Sequence, residues 1–380
     1  MKVLTLVPYK IFPAKVGGQK GIALFNEYFS TTCELTCVTV KNNDPQYAKG
    51  YKVINILSNK AHRYINPLLF ITIKKIIKQQ SATHLILEHP YYGWLGILLK
   101  KVTGIKLIIH SHNIESTRWK SLGKWWWKIL WWYERTTHRN ADYNFFIHDA
   151  DREFALKEFH LKETKCTTIT YGIEIDKAPL TEEKQRCKLQ LRQQHHIESK
   201  ETIFLFNGAL DYKPNLDAVK NILDNINPYL LTSGFNYKII ICGRGLPDEM
   251  NALKDYADKN IIYAGFVDDI TVYFIGAGIF INPVVEGGGI KTKMVEALGY
   301  NTKVISTNNG SIGVTEAETA GQLTIVPDND WKHFALKMIQ VASEPVNNIP
   351  DSFYTKFYWG NIAKKAADFI NNPPGKPIRF

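Results

Sequence analysis

The sequence predicts an α/β protein of two Rossmann-like, doubly wound parallel-sheet domains facing across a cleft. Three observations predict it. Short runs rich in Val, Ile and Phe recur along the chain, each the length of a strand buried on both faces. Stretches with helical periodicity separate them, as in Asn215–Asn227, where Leu216, Val219, Ile222, Leu223 and Ile226 form one stripe. The alternation occurs twice, and 380 residues are ample for two domains.

In the first half the runs are Val3–Pro8, Leu35–Val40, His84–His89, Lys106–His112, Tyr143–His148 and Thr167–Tyr171. In the second half they are Thr202–Gly208, Lys238–Gly243, Asn260–Phe266, Gly278–Val284, Lys303–Thr307 and Leu323–Pro327. The polar, charged stretch Ile175–Lys200 is expected to carry the boundary, giving domains over 1–178 and 179–354. Tyr358, Trp359, Ile362, Ala366, Phe369 and Ile370 recur at helical spacing. They predict a C-terminal helix over about 355–372 that packs back on the first domain and ends at Asn372-Pro373-Pro374-Gly375.

Composition narrows the function. The chain is 45% hydrophobic and 22% charged, ordinary for a globular protein, but carries a formal net charge of +11 and nine tryptophans. A basic balance suits nucleotide phosphates, anionic lipid or nucleic acid. No helix-turn-helix, zinc or base-stacking motif accompanies it, so nucleic acid is not the expected partner. The five cysteines are irregularly spaced, which is no disulfide framework, and Cys33 and Cys37 lack a second pair for zinc. Cys37 and Cys242 sit in apolar runs and read as core. The opening apolar stretch is too short for a signal peptide, and no apolar segment is long enough to span a bilayer. The expected location is the cytoplasm, or the inner face of its membrane.

The stretch from Asn282 to Gly299 holds the most chemistry. A strand ends at Pro283, Gly287, Gly288 and Gly289 follow, and a helix is expected to begin near Ile290. Consecutive glycines let the backbone approach a ligand and aim several N–H groups one way. At a helix N-terminus those groups and the dipole favour an anion. Lys291 and Lys293 are unfavourable in a first turn unless an anion sits there, and Glu296, further in, can accept hydrogen bonds from ribose hydroxyls.

That stretch, with Lys303-Val304-Ile305-Ser306-Thr307, resembles the sugar-donor signature of family 4 (group 1) glycosyltransferases, the retaining group with the GT-B fold. Other blocks agree in order. Phe206–Asn215, with Gly208 and Lys213, resembles the opening of that family's C-terminal domain. Ile241-Cys242-Gly243-Arg244-Gly245 resembles its second strand end, and Tyr263–Asp269, with Val267, the segment beside the nucleotide base. Thr170-Tyr171-Gly172-Ile173-Glu174 is similar to a motif that usually reads Asn-Gly-Val/Ile-Asp. The resemblance implies that Gly208, Lys213, Arg244, Val267, Glu286, Gly287, Gly288, Gly289, Ile290, Lys291, Lys293 and Glu296 bind a UDP- or GDP-linked sugar, with no cofactor and no metal. Many members carry a second glutamate ahead of the ribose-binding one, where this chain has Gly288. Glu286 lies two positions earlier.

In the first half, Gly17-Gly18 resembles the family's paired glycines beside the donor phosphates. His112-Asn113 resembles a position that reaches the transferred sugar, so His112 is the candidate catalytic residue and His148 is read as structural. The segment Lys124–Arg135 holds Trp125, Trp126, Trp127, Trp131 and Trp132, spread round a helix. It reads either as a core helix or as an interfacial one, with Pro67–Gln80 as a second contact. The resemblance implies glycosyl transfer to a glycan, lipid-linked or other hydroxyl acceptor. The alternatives are an epimerase of the same fold and a non-catalytic nucleotide- or glycan-binding protein.

Overall fold

Alternate residues of an uninterrupted apolar strand point to opposite faces, so both faces need cover. In strand Thr202–Asn207, Phe204 and Phe206 enter one core while Ile203 and Leu205 enter another on the opposite face. The computed structural model describes residues 1–14 and 17–372. It divides into two compact units, one from Met1 to Gly172 joined by the chain from Trp359, the other Ile173–Tyr358.

The first unit holds β1 (Lys2–Leu6), β2 (Glu34–Val40), β3 (Lys52–Leu57), β4 (His84–Glu88), β5 (Lys106–Ser111), β6 (Tyr143–Phe146) and β7 (Cys166–Thr168). They form one sheet in the order β3-β2-β1-β4-β5-β6-β7, every pair parallel. Its helices are α1 (Gly17–Phe29), α2 (Leu68–Gln80), α3 (Gly93–Thr103), α4 (Glu115–Ser121), α5 (Trp127–Asn140) and α6 (Asp149–Glu158). Strand β3 was not expected. It is a half-buried edge strand whose Lys52 and Asn55 interrupt the apolar run.

The second unit holds β8 (Thr202–Asn207), β9 (Tyr237–Cys242), β10 (Ile261–Gly265), β11 (Ile279–Asn282), β12 (Lys303–Thr307) and β13 (Leu323–Val326). Their order is β10-β9-β8-β11-β12-β13, again all parallel. Its helices are α7 (Thr181–Gln194), α8 (Lys213–Lys220), α9 (Asn227–Thr232), α10 (Ile270–Gly276), α11 (Thr292–Gly299), α12 (Trp331–Ser343) and α13 (Asp351–Phe357). A wider π turn, Asn221–Ile226, joins α8 to α9 just before Pro228, which has no N–H to continue the regular ladder.

The stretch expected to be a polar boundary is instead largely α7, which buries Cys187 and Leu191 and packs on α10. The units change over earlier, because Ile173 is buried in the second unit's core and its N–H donates to Phe357 O at 2.7 Å. The expected C-terminal helix is two elements. Tyr358 is extended between α13 and α14 (Trp359–Asn371), and α14 packs on α1 in the first unit. The helix breaker at Pro373–Gly375 lies outside the described residues.

Both sheets reverse direction of growth once, between β1 and β4 and between β8 and β11. Ligands of such sheets bind outside the carboxyl ends of the strands at that reversal.

Candidate functional site

In the second unit, the loops after β8 and β11 flank the reversal. Asn282, ending β11, donates to Ser306 Oγ at 3.1 Å and Gly310 O at 2.9 Å, tying the loop after β12 to it. Gly287 (φ +92°) and Gly289 (φ +77°) take the left-handed conformation that side chains resist. The resulting turn points its carbonyls inward. Lys291 Nζ donates to Gly287 O at 2.7 Å and Gly289 O at 3.3 Å, and Asn309, with its amide turned so that nitrogen rather than oxygen faces these acceptors, donates to Glu286 O and Gly287 O, both at 3.2 Å. Among the described residues, none accepts a hydrogen bond from the N–H groups of Gly287, Gly288 or Gly289.

Helix α11 starts at Thr292, slightly later than expected, because Lys291 is extended. Burial pushes the Lys291 ammonium down to about 8. Lys293 Nζ lies 2.8 Å from Glu296 Oε2, and Glu296 is buried on the helix. Exposed Glu286 pairs with Lys213 at 3.1 Å, and Lys213 also meets Asp217 at 2.6 Å. Ile290 is seated against Gly313, where an added Cβ would lie 2.6 Å from it. Gly208 and Gly243 touch so closely that a Cβ on Gly243 would lie 1.9 Å from Gly208 O. Arg244 follows, its carbonyl accepting from Leu210 N at 2.8 Å, and Val267 packs on the core below α10.

In the first unit, Gly17 and Gly18 open α1. A Cβ on Gly18 would meet nothing within 4 Å, so packing within the protein does not require glycine there. His112 stands one residue beyond β5, and its Nε2 is 2.6 Å from Glu88 Oε2 at the end of β4. Glu88 is the register partner of His110, whose Nδ1 lies 3.0 Å from the same oxygen. Burial works against ionisation of Glu88, but His110 and His112 outweigh it and hold the carboxyl well below its usual range. Burial, with His110 beside it, pushes His112 down to about 4 despite Glu88.

The neighbouring groups form a second layer. His89 Nδ1 is 3.0 Å from Glu115 Oε1, and its Nε2 is 2.9 Å from the Tyr9 hydroxyl. Glu134, buried on α5, accepts from the N–H groups of Glu115 and Ser116 at 2.8 and 2.9 Å, capping α4. Burial pushes the Glu134 carboxyl up to about 7. Glu88, His110 and His112 bring their ligating atoms within 4.8 Å, the one set of metal-type donors found among the described residues. His148 caps α6, its Nδ1 accepting from Asp151 N at 3.3 Å.

The tryptophans divide: Trp131 packs on the core around Phe146 and Phe159, whereas Trp125 and Trp132 stand outside it. The buried residues of α5 are Glu134, Thr137 and His138. Trp125, Ile129 and Trp132 are 82%, 65% and 60% exposed, and Arg135 lies over both Trp131 and Trp132 at 5.4 Å. No helix among the described residues is long and apolar enough to cross a membrane.

Two family models match this chain. One described as Glycosyltransferase Family 4 covers residues 26–177, and one described as Glycosyl transferases group 1 covers residues 201–344. The chain belongs to the family 4, group 1 glycosyltransferases. The transferase is 23% identical over 294 residues to a UDP-Gal:alpha-D-GlcNAc-diphosphoundecaprenol alpha-1,3-galactosyltransferase of Escherichia coli, covering 73% of this chain and 71% of that one. It is 29% identical over 177 residues to an uncharacterized 44.6 kDa protein in the cps region of Klebsiella pneumoniae, covering 42% of this chain and 45% of the relative. That match spans less than half of the Klebsiella protein's length. The fold is that of HepE from Anabaena in complex with UDP, with a TM-score of 0.72 at 13% identity over 98% of this chain and all of that one (100%). The expected two-sheet GT-B architecture is thus the fold of the transferase.

The structure gathers His112, which the sequence singles out, with Glu88, His89, Glu115 and Glu134, which it does not. Glu88-His89 had left a signal, a charged pair closing an otherwise apolar strand.

Proposed function

We propose that the transferase moves a hexosyl group from a UDP- or GDP-linked donor to a hydroxyl of a glycan or lipid-linked acceptor, with retention and without a bound metal. The observation that carries this reading is the run of N–H groups at Gly287, Gly288 and Gly289 with no acceptor among the described residues, beside Lys291 and Lys293 at the start of α11. Such groups, with the helix dipole, stabilise the charge that develops on a departing diphosphate. Glu296 takes the ribose hydroxyls. Gly208, Arg244 and Val267 serve the nucleotide, and Gly17 and Gly18 lie against its phosphates, in the roles the resemblance implies. His112 serves the transferred sugar.

UDP stands in the name of the E. coli relative and in the HepE complex, which favours UDP over GDP. The E. coli relative's name also gives a diphosphoundecaprenol acceptor. A lipid-linked acceptor suits the exposed Trp125, Ile129 and Trp132 with Lys124 and Lys128 around them, a face fit for an anionic membrane surface. The enzyme is then peripheral on the cytoplasmic side. Thermal-shift titration with UDP- and GDP-linked sugars tests the donor assignment. One nucleotide class should stabilise the wild type and not the Lys291→Ala/Lys293→Ala protein. Equal stabilisation of both proteins contradicts it.

A further inference from the structure

We infer that Glu88 is a positioning residue for His112, fixing the ring as its Nε2–H tautomer and leaving Nδ1 as a bare acceptor for a hydroxyl of the bound carbohydrate. The inference rests on the proposed role of His112 and goes beyond it by assigning which ring atom meets the ligand. Neutral imidazole has one donor and one acceptor nitrogen, and the partner of one nitrogen decides the tautomer. His112 Nε2 faces Glu88 Oε2 at 2.6 Å, and an ionised carboxylate only accepts. The proton of a neutral ring must therefore sit on Nε2. Nδ1 bonds to no described residue and is not among the sealed, unpartnered side-chain atoms.

The ring has little freedom to turn away. It stacks on His89 at 4.6 Å between centroids and lies against His110 at 4.5 Å. His89 is itself pinned at both nitrogens, by Glu115 and Tyr9, and its N–H donates to His110 O at 2.9 Å. It takes φ +70°, a conformation costly for histidine that this set of bonds maintains. Glu88 is almost fully buried and its Oε1 has no partner among the described residues, so His112 supplies its one hydrogen bond of good geometry among them. Each group holds the other: the carboxylate orients the ring, and the ring's N–H offsets the burial of the carboxylate.

The consequence is a rule for the ligand. An Nδ1 lone pair accepts from a sugar hydroxyl and gives nothing to a phosphate oxygen. A donor sugar lacking that hydroxyl leaves the nitrogen unpaired, a discrimination that hydroxyl-reading sites achieve strongly.

Two-bond ¹H–¹⁵N correlation spectra of the ¹⁵N-histidine-labelled full chain at pH 7 test this, with His112 assigned by its loss in His112→Asn. The expected pattern is one protonated Nε2 and one unprotonated Nδ1 for His112. Glu88→Gln, whose amide oxygen still accepts, should retain that pattern. Glu88→Ala should admit the Nδ1–H tautomer as a second population and lower kcat roughly a hundredfold, the scale of a misplaced acid–base group, with nucleotide affinity unchanged. An Nδ1–H tautomer in the wild type, or a His112 pattern indifferent to Glu88→Ala, overturns the inference. So does a stoichiometric metal ion whose removal by chelator shifts the His110 and His112 signals, since the three side chains would then be ligands. The spectrum needs no turnover, so a wild type that shows the expected tautomer but transfers no sugar would count against the proposed function alone.

Discussion

Lys293 Nζ and Glu296 Oε2 are 2.8 Å apart across the first turns of α11. The ammonium proposed for a phosphate is thus held by the carboxylate proposed for a ribose. Replacing each residue separates the two roles. Lys293→Ala should weaken nucleoside diphosphate binding by about 1–3 kcal/mol, the scale of a charge-assisted hydrogen bond. Glu296→Gln should weaken UDP while leaving inorganic pyrophosphate binding intact or slightly tighter, because Lys293 is released. Calorimetric titration with both ligands checks this, and equal losses for both in Glu296→Gln would point to a folding role.

Lys291 should give diphosphate binding a pH dependence. Burial brings its ammonium down to about 8 in the free protein, where it serves only loop carbonyls. A bound diphosphate favours the charged form and raises the value. Affinity should therefore be full below pH 8 and fall above it, by up to about tenfold per pH unit, until the raised value is reached. Titrations from pH 7 to 9 should show the fall in the wild type and not in Lys291→Ala.

Acid should weaken the first unit. Burial pushes His112 and His138 down to about 4 from an ordinary 6.5. Their contribution is present above pH 6.5 and is lost as pH falls from 6.5 toward 4, because the unfolded chain binds the protons. Glu134 opposes this. Its folded value of about 7 exceeds the ordinary 4.5, so its contribution is present below pH 4.5 and lost as pH rises through 7. Two histidines outweigh one glutamate, and stability should drop by on the order of 1–2 kcal/mol between pH 7 and 5. Urea unfolding at both pH values measures it, and Glu134→Gln should steepen the drop.

The exposed tryptophans predict salt-sensitive membrane binding. Trp125 and Trp132 project from the surface, whereas Trp126 is half-buried against Trp119 at 5.0 Å. The protein should cosediment with anionic liposomes at low salt and much less at high salt. Trp125→Ser with Trp132→Ser should reduce that binding without changing nucleotide affinity. A wild type that stays in the supernatant at every salt concentration would leave the acceptor as a soluble molecule.

Strands such as Lys106–Ser111 and Lys303–Thr307 were legible because a strand covered on both faces admits no polar alternation. Strand β3 was not, since an edge strand tolerates Asn55 and Lys52. Helix α7 was misread as a boundary because Cys187 and Leu191 alone face the core. The glycine loop was legible because three consecutive glycines are locally unusual. Glu88 was not, because its meaning depends on its register with His110 on the neighbouring strand, which local pattern does not encode. The tryptophan segment was ambiguous for the same reason. Apolarity marks a helix that leaves water, but the residues α5 buries are polar: Glu134, Thr137 and His138.

The most direct test is nucleotide release from a UDP- or GDP-linked hexose, with and without a polyprenyl-diphosphate-linked sugar acceptor. Release should depend on the acceptor and be lost in Lys291→Ala/Lys293→Ala. Release that proceeds equally without acceptor, or that survives loss of both lysines, would contradict the proposed function.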